Sequence, residues 1–199
     1  MVAALEADLR KALAGEVRFD RATRALYATD ASVYQIEPLG VVLPRSRDDV
    51  EAAVTVAARY GVPITPRGGG TSQAGQSIGA GLVLDTSKYL NRVLAVDPDA
   101  RTARVEPGLV LDDLNAAVKT HGLRFAPDVS SSSRATVGGM MANNSSGARS
   151  VVYGKTGDHV RAQQVVLADG RTAELAPLGG DALADALSLI HISEPTRPY

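Results

Sequence analysis

The residues best suited to chemistry lie in Pro66-Arg67-Gly68-Gly69-Gly70-Thr71-Ser72, directly after a strand-like run from Val62 to Thr65. Three successive glycines in a packed domain need a cause, because glycine loses the most conformational freedom on folding. Either the backbone turns with positive φ, or something approaches the main chain too closely for a Cβ. Thr71 and Ser72 add hydroxyls, Arg67 adds a cation, and consecutive amides in such a loop form an anion-binding concavity. Two readings fit: a pyrophosphate cradle, or an ordinary glycine-rich surface turn.

A second polar cluster runs from Pro127 to Gly154, PDVSSSSRATVGGMMANNSSGARSVVYG. Its composition is that of a flexible loop. Val137, Met140 and Met141 are nevertheless spaced for one helical turn, and Thr136 is placed to cap it. Free amides at that helix start would face an anion. Asn143-Asn144-Ser145 and Asn144-Ser145-Ser146 match the glycosylation pattern, which carries little weight without a secretory signal.

Two nucleotide motifs fail. A dinucleotide-binding fingerprint sits between the first strand and its helix, whereas this glycine loop follows a second strand. Gly68-x-Gly70 would also need glycine at 73, which is Gln73. Gly154-Lys155-Thr156 would need glycine at 149 to be a P-loop, and that residue is Arg149. The remaining candidates have ordinary roles close at hand. His121 precedes Gly122 at a predicted helix end, where a cation favours the dipole. His159 falls in a loop, where a backbone or solvent contact is the usual role and a catalytic base the rarer one.

The chain has 199 residues, 45% hydrophobic and 22% charged, with a formal net charge of -1. That excludes a basic surface built for nucleic acid, and the length suffices for a core. Cysteine is absent, so no disulfide or thiolate metal site is formed by these residues; no metal site is expected. No run is long enough for a transmembrane segment. Early acids, Glu6 and Asp8, break any signal-peptide pattern. A cytoplasmic location is the expectation, with a peripheral membrane association open for an intact protein. From about Leu187 the text LSLIHISEPTRPY breaks with what precedes it and resembles a translated sequencing adapter. Residues 188–199 are therefore expected to be non-native, His191 is given no role, and the natural protein is expected to continue further.

The elements that must position these residues follow from pattern. Leu5, Leu9 and Leu13 predict an amphipathic helix over 3–14, stopped by Gly15. Val41–Leu43 reads as a buried strand. Ser46 caps a helix through Val50, Ala53, Val54 and Ala57. Strands are expected at 62–65, 81–85 and 93–96, the last pairing with 102–106. A helix is expected over 111–120, and Asp169-Gly170 predicts a hairpin turn. The predicted domains are a helical lead-in over 1–35 and a two-lobed domain over 36–187, its lobes being 36–96 and 97–187.

PRGGGTS, APDVSSSSRATVGGMMANNSSG, VVYGKTGDHV and VVLADGR, in that order, resemble the FAD-binding (PCMH or vanillyl-alcohol-oxidase type) domain of FAD-linked oxidases. The nearest subgroup is the large FAD/iron–sulfur D-2-hydroxyacid dehydrogenases of D-lactate and glycolate type, which DASVYQIEPLGVVLPRS also fits. The resemblance implies an α+β, two-lobed FAD domain, C-terminally incomplete. By position it assigns FAD contacts to Arg67, Gly68, Gly69, Gly70, Thr71 and Ser72. It adds Asp128, Ser131, Thr136, Gly138, Gly139, Asn143, Asn144, Ser145 and Ser146. Some members attach FAD through a histidine at the glycine loop; Thr71 stands there, so non-covalent FAD is expected. The implied reaction moves a hydride equivalent from a small-molecule D-2-hydroxy acid to flavin N5, with the electron acceptor unidentified. The family's Gly-Ser-Glu-Gly-like segment and cap domain do not appear, so no catalytic residue is assigned. An iron–sulfur cluster is expected only in a missing C-terminal part. Two alternatives stay open: an inert truncated piece or stand-alone flavin module, and a nucleotide-sugar reductase of the same fold.

Overall fold

The computed structural model describes residues 1–179. The adapter-like tail lies outside the described residues. The first lobe is a four-stranded sheet in the order β1-β2-β4-β3, formed by β1 (Glu16–Arg18), β2 (Gly40–Leu43), β3 (Ile64–Arg67) and β4 (Leu82–Asp85). β1 runs antiparallel to β2, while β2, β4 and β3 are mutually parallel. β2 and β4 are buried at every position, as befits central parallel strands covered on both faces. Side chains alternate across the sheet. Val42, Leu82 and Leu84 enter the core shared with Leu5, Leu9, Ala53 and Val56, and Val41, Leu43 and Val83 form the opposite cluster with Tyr27 and Tyr89.

The helical cover is α1 (Val2–Ala12) packed on α3 (Arg47–Arg59), with a short α2 (Arg21–Leu26) between them in the chain. α3 starts as predicted: the Ser46 hydroxyl accepts from the Asp49 amide at 3.2 Å. Asp49 is itself buried, and its carboxylate accepts from the Ala14 and Arg45 amides, both at 2.8 Å. One carboxylate thus joins the start of α3 to the chain leaving α1. α3 ends on Gly61 at φ +65°, and the Val62 amide donates back to the Ala57 carbonyl at 3.0 Å. That Schellman closure consumes the Val62 donor. β3 therefore begins at Ile64, two residues later than periodicity suggests.

The second lobe carries a hairpin of β5 (Val93–Asp97) and β6 (Thr102–Val105), then α4 (Leu111–Val118), a 3-10 turn (Lys119–His121) and α5 (Val137–Ala142). Leu109, Leu114, Val118 and Val137 form its core, with Val93, Val96 and Val105 packed against them. After α6 (Ser150–Tyr153), a last hairpin of β7 (Gln163–Val166) and β8 (Thr172–Leu175) turns at Asp169-Gly170. It docks on α3: a Cβ at Gly170 would lie 2.3 Å from Thr55 Oγ1, and Arg47 donates to Thr172 Oγ1 at 3.2 Å.

Two features bear on the division of the chain. Residues 16–18 form a strand of the first sheet, so the N-terminal stretch is no purely helical lead-in. A lobe division at 96 would cut the β5–β6 hairpin, whose strands share the second core.

Glu16 fastens β1 to the turn after β4. Its carboxylate accepts from Lys88 Nζ, Tyr89 Oη and the Arg18 guanidinium. Those donors, Lys88 foremost, hold its pKa down at about 2. A carboxylate with a depressed folded pKa stabilises the fold above its unfolded value and loses that contribution as pH falls through the folded value. The stability gap between wild type and Glu16→Gln, measured by urea unfolding, should therefore be full above about pH 4.5 and close as pH falls toward about 2.

Candidate cofactor-binding site

The two polar clusters meet. A Cβ on Gly68 would stand 2.0 Å from Thr136 Oγ1, and one on Gly69 would stand 2.1 Å from the Arg134 carbonyl oxygen. The first two glycines are thus required because the loop after β3 lies directly against the segment that starts α5. Gly70 takes φ +65°, and a Cβ there would lie 2.6 Å from Arg67 Nη2. A further contact crosses at the loop's far end, where Gln76 Nε2 donates to Asn143 Oδ1 at 3.3 Å.

The loop's donors are left over. Among the described residues, no protein acceptor is found for the main-chain N–H of Gly68, Gly69, Gly70, Thr71 or Ser72. Buried main-chain groups are almost always paired. A run of consecutive unpaired donors is therefore open to water or to an anionic ligand. No buried polar side-chain atom among the described residues lacks a partner. The unspent hydrogen-bonding capacity thus lies in the main chain of the loop, where the lobes meet.

The second cluster divides into groups that build and groups that remain free. Thr136 is buried and caps α5, accepting from the Gly139 amide at 3.4 Å. The Val137 amide donates to the Leu109 carbonyl and that of Gly138 to the Pro107 carbonyl, both at 2.8 Å. The expectation of free amides at this helix start is corrected: neighbouring carbonyls of the second lobe take them. Gly138 is glycine because Pro107 is in the way, its Cβ 2.7 Å from where a Gly138 Cβ would be. Asn144 sits at φ +45° and its Oδ1 accepts from the Gly157 amide at 2.9 Å. The Ser145 carbonyl accepts from the buried Thr156 hydroxyl at 2.8 Å. Asp128 pairs with Arg124 at 3.1 Å and Arg149 at 3.3 Å. Asn143, Asn144 and Ser146 are exposed, and the Ser131 carbonyl closes the tight turn into Ala135. Among the described residues, the hydroxyls of Thr71, Ser131 and Ser146 have no protein partner within hydrogen-bonding distance.

Four contributors escaped the sequence reading. Gly147 lets the second cluster close on itself, since a Cβ there would lie 1.7 Å from the Asp128 carbonyl oxygen. Gln76 crosses to the second lobe. Tyr27 and Asp85 stand behind the glycine loop, with Tyr27 Oη donating to Asp85 Oδ2 at 2.6 Å. Only Gly147 had a local signal, as the end of Asn-Asn-Ser-Ser-Gly; the others are brought in by the chain path. His159 lies against Phe125 with its Nε2 at 2.8 Å from the Tyr153 carbonyl. A carbonyl only accepts, so this nitrogen carries the proton. His121 ends the 3-10 turn before Gly122 at φ +68°, the helix-end position expected of it.

Two lobes locked through glycine contacts thus meet at a row of unpaired amides and hydroxyls. The family model described as "FAD binding domain" matches residues 38–176, and the chain belongs to this family, of the PCMH type. Its relatives are, by name, dehydrogenases and glycolate oxidase subunits. It is 44% identical over 185 residues to the D-2-hydroxyglutarate dehydrogenase of Pseudomonas putida, covering 92% of this chain and 18% of that protein. It is 39% identical to the glycolate oxidase subunit GlcD of Bacillus subtilis, over 79% of this chain and 34% of that one. Among solved structures, alkyldihydroxyacetonephosphate synthase superposes with a TM-score of 0.78 at 27% identity, over 87% of this chain and 38% of that one. The chain thus spans a minor part of the length of the relatives it matches. Among the described residues, no helix is long and apolar enough to cross a membrane.

The interlock makes a prediction about space alone. Gly69→Ala should destabilise the fold by about 1–3 kcal/mol through overpacking against Arg134. Gly179→Ala has nothing within 4 Å of the added methyl and should leave the unfolding free energy within about 0.5 kcal/mol. Urea titration of the two variants checks the pair.

Proposed function

We propose that this chain supplies the FAD-holding domain of a dehydrogenase that oxidises a D-2-hydroxy acid. The observation that carries the reading is the run of unpaired amides from Gly68 to Ser72, lying where the two lobes interlock. A pyrophosphate needs many donors, and this loop offers a consecutive row of unpaired amides. The amides of Gly68–Ser72 would hold the phosphates. The free hydroxyls of Thr71, Ser131 and Ser146 and the Nδ2 of Asn144 would hold the rest of the nucleotide, with Asn143, tied to Gln76, beside them. Thr136, Gly138, Gly139, Ser145 and Asp128 shape the second wall from behind. Attachment is non-covalent in this reading, because Thr71 stands at the loop position where a linking histidine would be and the chain has no cysteine.

When bound, FAD supplies the acceptor for a hydride equivalent from the substrate carbinol carbon. The chain's own residues bind and orient it. Neither described histidine near this stretch is assigned the removal of the hydroxyl proton in this reading: His159 is held through Nε2 by the Tyr153 carbonyl, and His121 ends a turn. We infer that substrate binding and proton abstraction fall to parts of the protein beyond this stretch, and that this stretch by itself binds cofactor without turnover. The hydroxy-acid class is favoured by the D-2-hydroxyglutarate dehydrogenases and GlcD among the relatives, with identities of 44% and 39%.

FAD added to the purified chain should lose its free-flavin fluorescence saturably, and acid precipitation should release all of it, as a non-covalent cofactor requires. D-2-hydroxyglutarate, D-lactate or glycolate should leave the bound flavin oxidised in this chain and bleach it in the full-length protein. No saturable FAD binding by either form would remove the reading.

A further inference from the structure

Arg67 does not present its guanidinium to the open side of the glycine loop. Nη1 donates to the Thr29 carbonyl at 2.8 Å and to the Ser77 carbonyl at 3.2 Å. The guanidinium carbon lies 5.2 Å from the centre of the Tyr27 ring, within cation–π range. Nη2 lies beside Gly70, 2.6 Å from where a Cβ would stand. Tyr27 is fixed in turn by its 2.6 Å hydrogen bond to Asp85, a buried carboxylate that also accepts from the Ser87 amide at 2.8 Å and hydroxyl at 2.7 Å. Burial foremost, then the Asp85 hydrogen bond, pushes the Tyr27 phenol well above its ordinary pKa, so it stays a donor through the working range. The segment carrying Thr29 is tied to the loop a second time, the Ala31 amide donating to the Gly70 carbonyl at 3.0 Å. Among the described residues, Arg67 makes no ion pair.

From this geometry we propose that Arg67 and Tyr27 are positioning residues for phosphate binding: Asp85 fixes Tyr27, Tyr27 and two carbonyls fix Arg67, and Arg67 props the loop so that the Gly68–Ser72 amides stay open to an anion. This rests on the reading of that loop as the pyrophosphate cradle. Arg67 touches no ligand. It acts as a strut beside Gly70 and as a positive charge behind a row of amide dipoles. The planar fork is the essential feature, since two carbonyls on separate segments must be reached while the face stacks on Tyr27. A lysine keeps the charge and loses that geometry. Tyr27 lies behind Arg67, so its effect on a ligand can only be indirect.

The test compares FAD with riboflavin, which lacks the pyrophosphate, in the chain carrying Arg67→Lys or Tyr27→Phe, each dissociation constant read by flavin fluorescence. The preference of the wild type for FAD over riboflavin should fall about tenfold in Arg67→Lys, the equivalent of one lost charge-assisted hydrogen bond. It should fall severalfold in Tyr27→Phe, with riboflavin affinity unchanged in both. Weakening of FAD and riboflavin in equal proportion would show a merely structural role and overturn the proposal. So would an unchanged preference in Tyr27→Phe together with loss in Arg67→Lys, which would make Arg67 a direct ligand. A variant that fails to fold is replaced by Arg67→Gln or Tyr27→Leu and read the same way. A wild type with no preference for FAD would instead overturn the cradle reading itself.

Discussion

The structure depends on one close approach: the backbone after β3 lies against Arg134 and Thr136 with no room for a side chain at Gly68 or Gly69. Everything that forms the candidate site follows from it. The two lobes have separate cores, one around the β1-β2-β4-β3 sheet and one behind α4 and α5. They are joined at the position where the loop amides are unpaired. Thr136 serves both sides, capping α5 while filling the space that a Gly68 side chain would take. The Gln76–Asn143 hydrogen bond and the docking of the last hairpin on α3 add ties away from that point.

The junction therefore presents main-chain donors on a floor held by packing. Neutral amides suit a ligand that is highly charged but must sit in a protein with little net charge. The carboxylates nearby are occupied. Burial works to raise the Asp30 pKa, and hydrogen bonds from Ser32 and Ser77 outweigh it and hold the group below its ordinary value. Asp128 is spread between two arginines. Asp85 is satisfied by Tyr27 and Ser87. Of these, Asp128 alone is paired with cations, while Asp30 and Asp85 keep their charge on neutral donors.

Much of the fold was legible in the chain because local rules and burial agree there. Ser46 and the spacing of Val50, Ala53 and Ala57 announce α3, the apolar runs announce β2 and β4, and Asp169-Gly170 announces the last turn. The interleaving of β4 between β2 and β3 has no local signal, since it is a choice among parallel partners. β1 was hidden because three residues are too few for an alternating pattern. At the site, the glycine and serine clusters showed that something had to approach the backbone. Composition did not reveal that the immediate neighbour of Gly68 and Gly69 is the other lobe. Nor did it show that the α5 amides are spent on Pro107 and Leu109, because both facts come from contacts between segments distant in the chain.

The most direct measurement is the 15N amide spectrum of the chain with and without FAD, with riboflavin as the control. If the loop holds the pyrophosphate, the resonances of Gly68, Gly69, Gly70, Thr71 and Ser72 move downfield together as FAD saturates the protein, and riboflavin leaves them in place. If FAD binds and those resonances do not move, or move equally with riboflavin, the phosphates lie elsewhere and the central claim is wrong.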